Sequence, residues 1–259
     1  MCTSFFIISN FFQCKPTLCN KFRDKYPTVL EITRRDNIDE RGRFVEGDMI
    51  FPNYLDTFRP TKFDPRWKNA IVVFTIDNSF TEEELEEIGK SFTEISEKTC
   101  VRFLERTTER DFVFIQRGVV DSGCWSFVGR VGGKQIINLE PPICIRNGSI
   151  SHEILHTLGR VHEQSRFDRD SYVSIDYLNV VEGLESNFRK YSMEQRPSYG
   201  IPYDYGSIMH YSAYAFARNP EKPTIIPKQI GVDIGQRIAL SLRDAQTINR
   251  IYSCQPTIY

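Results

Sequence analysis

The sequence predicts an α+β domain from three features: short β-branched and aromatic runs around an amphipathic helix, a histidine-bearing helical segment after them, and a turn-rich stretch ending in a last helical pattern. Ile71-Val72-Val73-Phe74-Thr75-Ile76 predicts a buried strand. Thr81 ahead of Glu82-Glu83-Glu84 predicts a capping box with acids in the first turn, and Leu85, Ile88, Phe92 and Ile95 keep a helical period that ends near Cys100. Asp111 to Gln116 and Lys134 to Leu139 predict two further strands. Beyond Tyr203, Pro220, Pro223 and Pro227 mark turns until Leu240 to Tyr252 predicts a final helix.

A chain of 259 residues with 40% hydrophobic content can bury a sizeable core. Its 33 basic and 34 acidic residues nearly cancel, so no overall field draws it to nucleic acid, and a partner is recognised locally. No apolar segment approaches the roughly 20 residues needed to span a bilayer, and a soluble product without a membrane span is expected. Seven cysteines point to an oxidising compartment, the odd number leaving at least one unpaired, intermolecular or removed. Cys2, Cys14 and Cys19 crowd the first twenty residues, while Cys100, Cys124, Cys144 and Cys254 lie in the body. Residues 1–20 are read as a signal peptide, although Ser9-Asn10 breaks the apolar run and no basic residue precedes it. From about residue 20 to 68, charge and proline interrupt any apolar period, which argues against a compact core there.

The chemistry concentrates in Ser151-His152-Glu153-Ile154-Leu155-His156-Thr157-Leu158-Gly159-Arg160-Val161-His162-Glu163. Histidines four residues apart share one face of a helix, so His152 and His156 can reach one ion. Glu153 stands beside the first of them, placed to hold a water on the metal as a general base. Gly159 permits positive φ, which ends the helix and returns the chain to bring His162 to the third position. Three protein ligands leave the fourth position of a zinc ion open, the mark of a catalytic and not a structural site. A lone His-Glu-x-x-His occurs by chance on many helices, whereas three of the four histidines at these spacings are far more specific.

Downstream, Tyr203-Asp204-Tyr205-Gly206-Ser207-Ile208-Met209-His210-Tyr211 supplies the methionine turn that accompanies the long zinc motif in metzincins. The run from His152 to Asp170, with Arg166-Phe167-Asp168-Arg169-Asp170, closely resembles the astacin zinc signature, and Ser207 to Tyr211 resembles the astacin methionine turn. The likeness continues through Glu97-Lys98-Thr99-Cys100, Gly123 to Arg130, and Ile234-Gly235-Gln236-Arg237, and covers roughly residues 67 to 259.

That resemblance implies a metzincin-type catalytic domain: a twisted mixed sheet with two long helices in the N-terminal subdomain, and a mostly irregular C-terminal subdomain with a final helix. It implies one zinc ion per chain on His152, His156 and His162, and hydrolysis of internal peptide bonds of extracellular proteins with Glu153 as base. Tyr211 would bind zinc or swing to stabilise the tetrahedral intermediate, and Met209 would form an apolar floor, ordinary core packing being the alternative. Glu163 would meet the buried amino terminus of the processed enzyme or lie plainly on the surface, and His210 would be structural. Cys100 would pair with Cys254 and Cys124 with Cys144. Substrate would lie extended along an edge strand near Trp125 to Val128, with Arg237 close to a basic pocket wall.

The organisation implied is a signal peptide at 1–20, a propeptide at 21–66 and a protease domain at 67–259, in a secreted protein activated by another protease. Within the propeptide, Phe44-Val45-Glu46-Gly47-Asp48 resembles the astacin Phe-x-Gly-Asp segment, whose aspartate occupies the open zinc position. Val45 stands where phenylalanine is expected, and Phe44 comes one residue early. Asp48 is thus the expected inhibitory zinc ligand, or else Gly47-Asp48 is a plain turn. Arg59, Lys62 and Arg66 are candidate cut points, Arg59 disfavoured by Pro60. Asn147-Gly148-Ser149 is a glycosylation sequon just before the zinc helix, where Ser149 is alternatively a cap. The rival from another class is a catalytically silent, zinc-containing secreted binding protein, against which the presence of Glu153 and all three histidines argues.

Overall fold

The computed structural model describes residues 43–51 and 64–255. The expectations for residues 1–20, for Cys2, Cys14 and Cys19, and for Arg59 and Lys62 fall outside that range.

Among the described residues, six strands form one mixed sheet, in the order β1-β5-β6-β4-β2-β3. These are β1 (Met49–Ile50), β2 (Ile71–Ile76), β3 (Arg102–Glu105), β4 (Phe112–Arg117), β5 (Cys124–Phe127) and β6 (Lys134–Leu139). All neighbours run parallel except β5 and β6. The apolar runs at 71–76 and 134–139 become strands with the expected bounds. β4 starts at Phe112 because the Asp111 carboxylate is turned back to accept from Gly133 N and Arg130. A second, two-stranded sheet pairs β7 (Val173–Ile175) with β8 (Ile225–Pro227).

Helix α1 spans Glu82–Lys98 and begins on the expected capping box, with Glu84 N donating to Thr81 Oγ1 at 3.3 Å and Thr81 N to Glu84 Oε2 at 3.0 Å. It ends where Thr99 becomes extended, and it buries Ile88, Ser91 and Ile95. Helix α2 (Asn147–Thr157) lies beneath the sheet with every residue from Gly148 to Thr157 buried. Gly148 makes that depth possible, since a Cβ there would lie 2.0 Å from Arg237 O. Ser149 sits inside the first turn and is not the cap; that position is Arg146, which makes no side-chain cap bond. The sequon asparagine is tied down: Asn147 Nδ2 donates to Glu94 Oε2 at 3.1 Å, and its Oδ1 accepts from Ser91 Oγ at 2.9 Å. Helix α3 (Leu242–Ile251) starts on a second box, Ser241 with Asp244.

The main core packs Val72, Val113, Ile115 and Ile137 of the sheet against Ile88 and Ile95 of α1, Ile154 and Leu155 of α2, and Ile248 of α3. A second cluster gathers Val173, Phe188, Tyr203, Tyr211 and Ile225 in the irregular C-terminal part. A third joins Met49, with Val45 and Phe51, to Val128, Val161 and Tyr191, so the segment 43–51 docks through apolar contact of its own. No helix among the described residues is long and apolar enough to cross a membrane.

Disulfides join Cys100 to Cys254 and Cys124 to Cys144, each with Cα atoms 5.6 Å apart, as the resemblance implies. The second closes a separation of 20 residues between β5 and the approach to α2. Replacing both Cys124 and Cys144 with alanine is expected to destabilise the protein by about 3 kcal/mol, lowering the melting midpoint by roughly 6–12 °C. A midpoint equal to the parent's in thermal denaturation would refute that loop-closure account.

Candidate metal centre

Helix α2 stops in a Schellman pattern that Gly159 makes possible at φ 99°: Arg160 N donates to Leu155 O and Gly159 N to His156 O. The reversal points Arg160 O back at the helix, where it receives His156 Nδ1 at 2.8 Å. It also delivers His162 to the same point as His152 and His156. Glu163 N then donates to Met209 O at 2.9 Å, which ties the third histidine to the methionine turn. From that turn, Ile208 O receives His152 Nδ1 at 2.7 Å.

A carbonyl oxygen only accepts, so both Nδ1 atoms carry hydrogen and both Nε2 atoms present lone pairs. The Nε2 atoms of His152 and His156 stand 3.1 Å apart. Two lone pairs that close repel unless a cation lies between them, and the donor set thereby fits a metal. Asp48 completes it: its carboxylate is 3.1 Å from His152 Nε2, 3.4 Å from His156 Nε2 and 3.3 Å from His162 Nε2. The four groups are fully buried and offer ligand atoms within 4.8 Å of one another, enough for one ion.

Electrostatics in the protein alone have the same sign. Burial works against charge on His162, but Asp48 and Glu46 overrule it and raise its pKa to about 10. Burial likewise opposes charge on Asp48, yet the imidazoles of His162 and His156 hold its carboxyl well below the ordinary range. A divalent ion supplies the positive charge this pocket favours.

The remaining site residues fall around this cluster. Glu153 is fully buried on α2, one residue past the first histidine. Met209 is fully buried in the main core with Ile154 and Leu155. The Tyr211 ring lies 4.7 Å from that of His162, but its hydroxyl donates to Glu46 O. Glu163 is buried and not on the surface. Burial raises its pKa against Arg160 and Arg166, which bond its two oxygens at 3.1 and 3.0 Å. Burial pushes His210 down to about 4, and it stays neutral between the Tyr203 hydroxyl and Tyr211 O. Arg237 is buried and donates to His210 O.

Two neighbours of the cluster carry no sign of their tertiary contacts in the sequence. Glu46 bonds His162 from the segment that carries Asp48. Asp244 caps α3 and accepts from Ser207 Oγ and Ile208 N, so it fixes the carbonyl on which His152 rests. The Ser241-x-x-Asp244 spacing signals the cap but not the tertiary contact.

Three buried imidazoles around a cation position, with a carboxylate on the same helix, define a site of the metallopeptidase class. The model of the Astacin peptidase family matches residues 60–253, and the chain belongs to that family. It is 43% identical over 192 residues to zinc metalloproteinase nas-14 of Caenorhabditis elegans, covering 74% of this chain and 38% of that one. It is 35% identical over 235 residues to high choriolytic enzyme 1 of Oryzias latipes, covering 88% and 84%. The solved structure of that hatching-enzyme zinc-protease superposes with a TM-score of 0.68 at 36% identity, over 73% of this chain and 94% of the other. The chain spans 38% and 41% of the lengths of nas-14 and nas-13. Zinc, one ion per chain, is the cofactor that the family and the buried cluster share.

Replacing Asp244 with alanine leaves Ile208 N and Ser207 Oγ without their acceptor in a buried place. A loss of about 3 kcal/mol is expected in denaturant unfolding, together with faster release of zinc to a chelator. Unfolding at the parent's midpoint would disprove the anchoring role.

Proposed function

We propose that the chain is a secreted zinc-dependent endopeptidase held latent by its own segment 43–51. One observation carries this reading: the Asp48 carboxylate faces all three histidine Nε2 atoms, where the fourth zinc ligand belongs. His152, His156 and His162 hold the metal, and Asp48 keeps water from the open position.

The same segment covers the strand edge. Ser126 N donates to Asp48 O at 2.9 Å and Val128 N to Ile50 O at 3.0 Å, the main-chain donors an extended substrate would use. Phe44 packs on Trp125 with centroids 5.0 Å apart, and Val45 joins the Met49 cluster. The shift of the aromatic residue by one position therefore still leaves it a partner in the cleft.

Release of the segment frees Ser126 N and Val128 N to align a peptide, and frees the Tyr211 hydroxyl from Glu46 O to donate to charge developing on the substrate carbonyl. Zinc when bound supplies a Lewis acid that polarises that carbonyl and lowers the pKa of water towards about 7. Glu153 takes the proton from the attacking water and delivers it to the leaving amine.

Residues 21–66 are the propeptide on this reading, and 67–259 the protease domain. An activating protease would cut between Asp48 and Trp67; Arg66, paired with Asp64 at 2.8 Å, is the candidate on the described chain. Export fits the two disulfides. In the processed form Glu163 would exchange Arg160 or Arg166 for the new amino terminus.

Uncleaved parent and uncleaved Asp48→Ala are to be compared on a denatured protein substrate with zinc present. Cleavage by the variant but not by the parent is expected, and equal latency of the two overturns the inhibitory role of Asp48. In the processed form, Glu153→Ala is expected to lower kcat by roughly 10²- to 10⁴-fold; retention of full activity would exclude Glu153 as the base.

A further inference from the structure

We propose that Glu46 is a positioning residue for the third histidine, so that the segment that blocks the metal also orients one of its ligands. The inference rests on the latent reading above. His152 and His156 direct Nδ1 to main-chain carbonyls of the protease body, Ile208 O and Arg160 O. His162 instead directs Nδ1 to the Glu46 carboxylate, with Oε2 at 2.9 Å. Ser165 Oγ donates to the same Oε2 at 2.7 Å, and Glu46 is only 3% exposed.

A carboxylate accepts where an imidazole donates, so with a cation between His162 and Asp48, Glu46 keeps the hydrogen on Nδ1 and leaves the Nε2 lone pair to the metal. It also increases the basicity of that lone pair, which a neutral carbonyl does less strongly. The backbone is arranged for this. Val45 and Met49 exchange N–H···O bonds at 3.1 and 3.0 Å, closing a loop around Glu46, Gly47 and Asp48 that turns both carboxylates inward. Glu46 adopts φ 50°, in the left-handed region that costs a non-glycine residue about 1 kcal/mol. The burial of Met49 and the two new carboxylate contacts hold it there. Glu46 thus acts at both ends, its side chain on His162 and its carbonyl on the Tyr211 hydroxyl. The uncleaved protein accordingly retains metal more firmly than Asp48 ligation alone provides.

The test uses the uncleaved full-length chain, loaded with zinc and mixed with excess chelator, with the release rate as readout and folding checked by melting. Glu46→Ala, with Asp48 intact, is expected to release zinc roughly 10- to 100-fold faster than the parent. Glu46→Gln keeps a neutral acceptor oxygen for Nδ1 and for Ser165 but loses the charge, and is expected to release zinc at a rate between those of the parent and Glu46→Ala. Release from Glu46→Ala at the parental rate overturns the proposal, as does release from Glu46→Gln as fast as from Glu46→Ala. If Glu46→Ala does not fold, Ser165→Ala decides: it removes the hydroxyl that steadies Oε2, faster release supports the proposal and unchanged release overturns it. The activity of uncleaved Asp48→Ala separates the two readings. A latent Asp48→Ala rejects the Asp48 block, whereas an active one with parental release from Glu46→Ala rejects the Glu46 role alone.

Discussion

Three imidazole lone pairs aimed at one point form the constraint on which the rest of this structure depends. Each direction is set from behind, by an acceptor at Nδ1, and the three acceptors come from three places. One is the turn that ends α2, one the methionine turn far downstream, and one the segment that precedes the first long strand. The fold can be understood as the means of bringing these together. Gly148 lets α2 lie against the backbone at Arg237, Gly159 reverses the chain, and Asp244 anchors the methionine turn to α3.

Around the metal position the protein keeps charge in compensated pairs. Glu163 lies between Arg160 and Arg166, and Arg160 also reaches Asp244. Isolated buried carboxylates would be costly, and Glu46, Asp48, Glu163 and Asp244 each have a guanidinium, a main-chain N–H or an imidazole opposite them. His210 solves the same problem without charge, as a neutral ring that accepts from one tyrosine hydroxyl and donates to a carbonyl.

Much of this was legible in the sequence, and the reasons are local. The strand at 71–76 and the helix after Thr81 signal themselves through patterns a few residues long, and so does α2, whose two histidines and reversing glycine lie within one short segment. What stayed hidden depends on distant partners. β1 has two residues and no period of its own, and β3 is mostly exposed, so neither carries an alternating signature. β7 and β8 have three residues each, and they pair across about fifty residues of irregular chain. Glu46 looks like any acidic residue in a charged stretch until His162, 116 positions away, is placed against it. Asp244 shows its capping half in the sequence and its anchoring half only in the fold.

The covalent continuity between the segment 43–51 and the body sets the strength its contacts need. A group tethered by a short stretch of chain competes at an effective concentration of the order of millimolar, whatever the bulk concentration of its rivals. One aspartate, two main-chain bonds to β5 and a small apolar cluster therefore suffice to occupy the cleft while the chain is intact, although the same contacts in a free peptide would be weak. On the proposed reading, cutting the chain after Asp48 changes no contact in the cleft. It dilutes the occupant, and dissociation then becomes irreversible in practice through loss of local concentration.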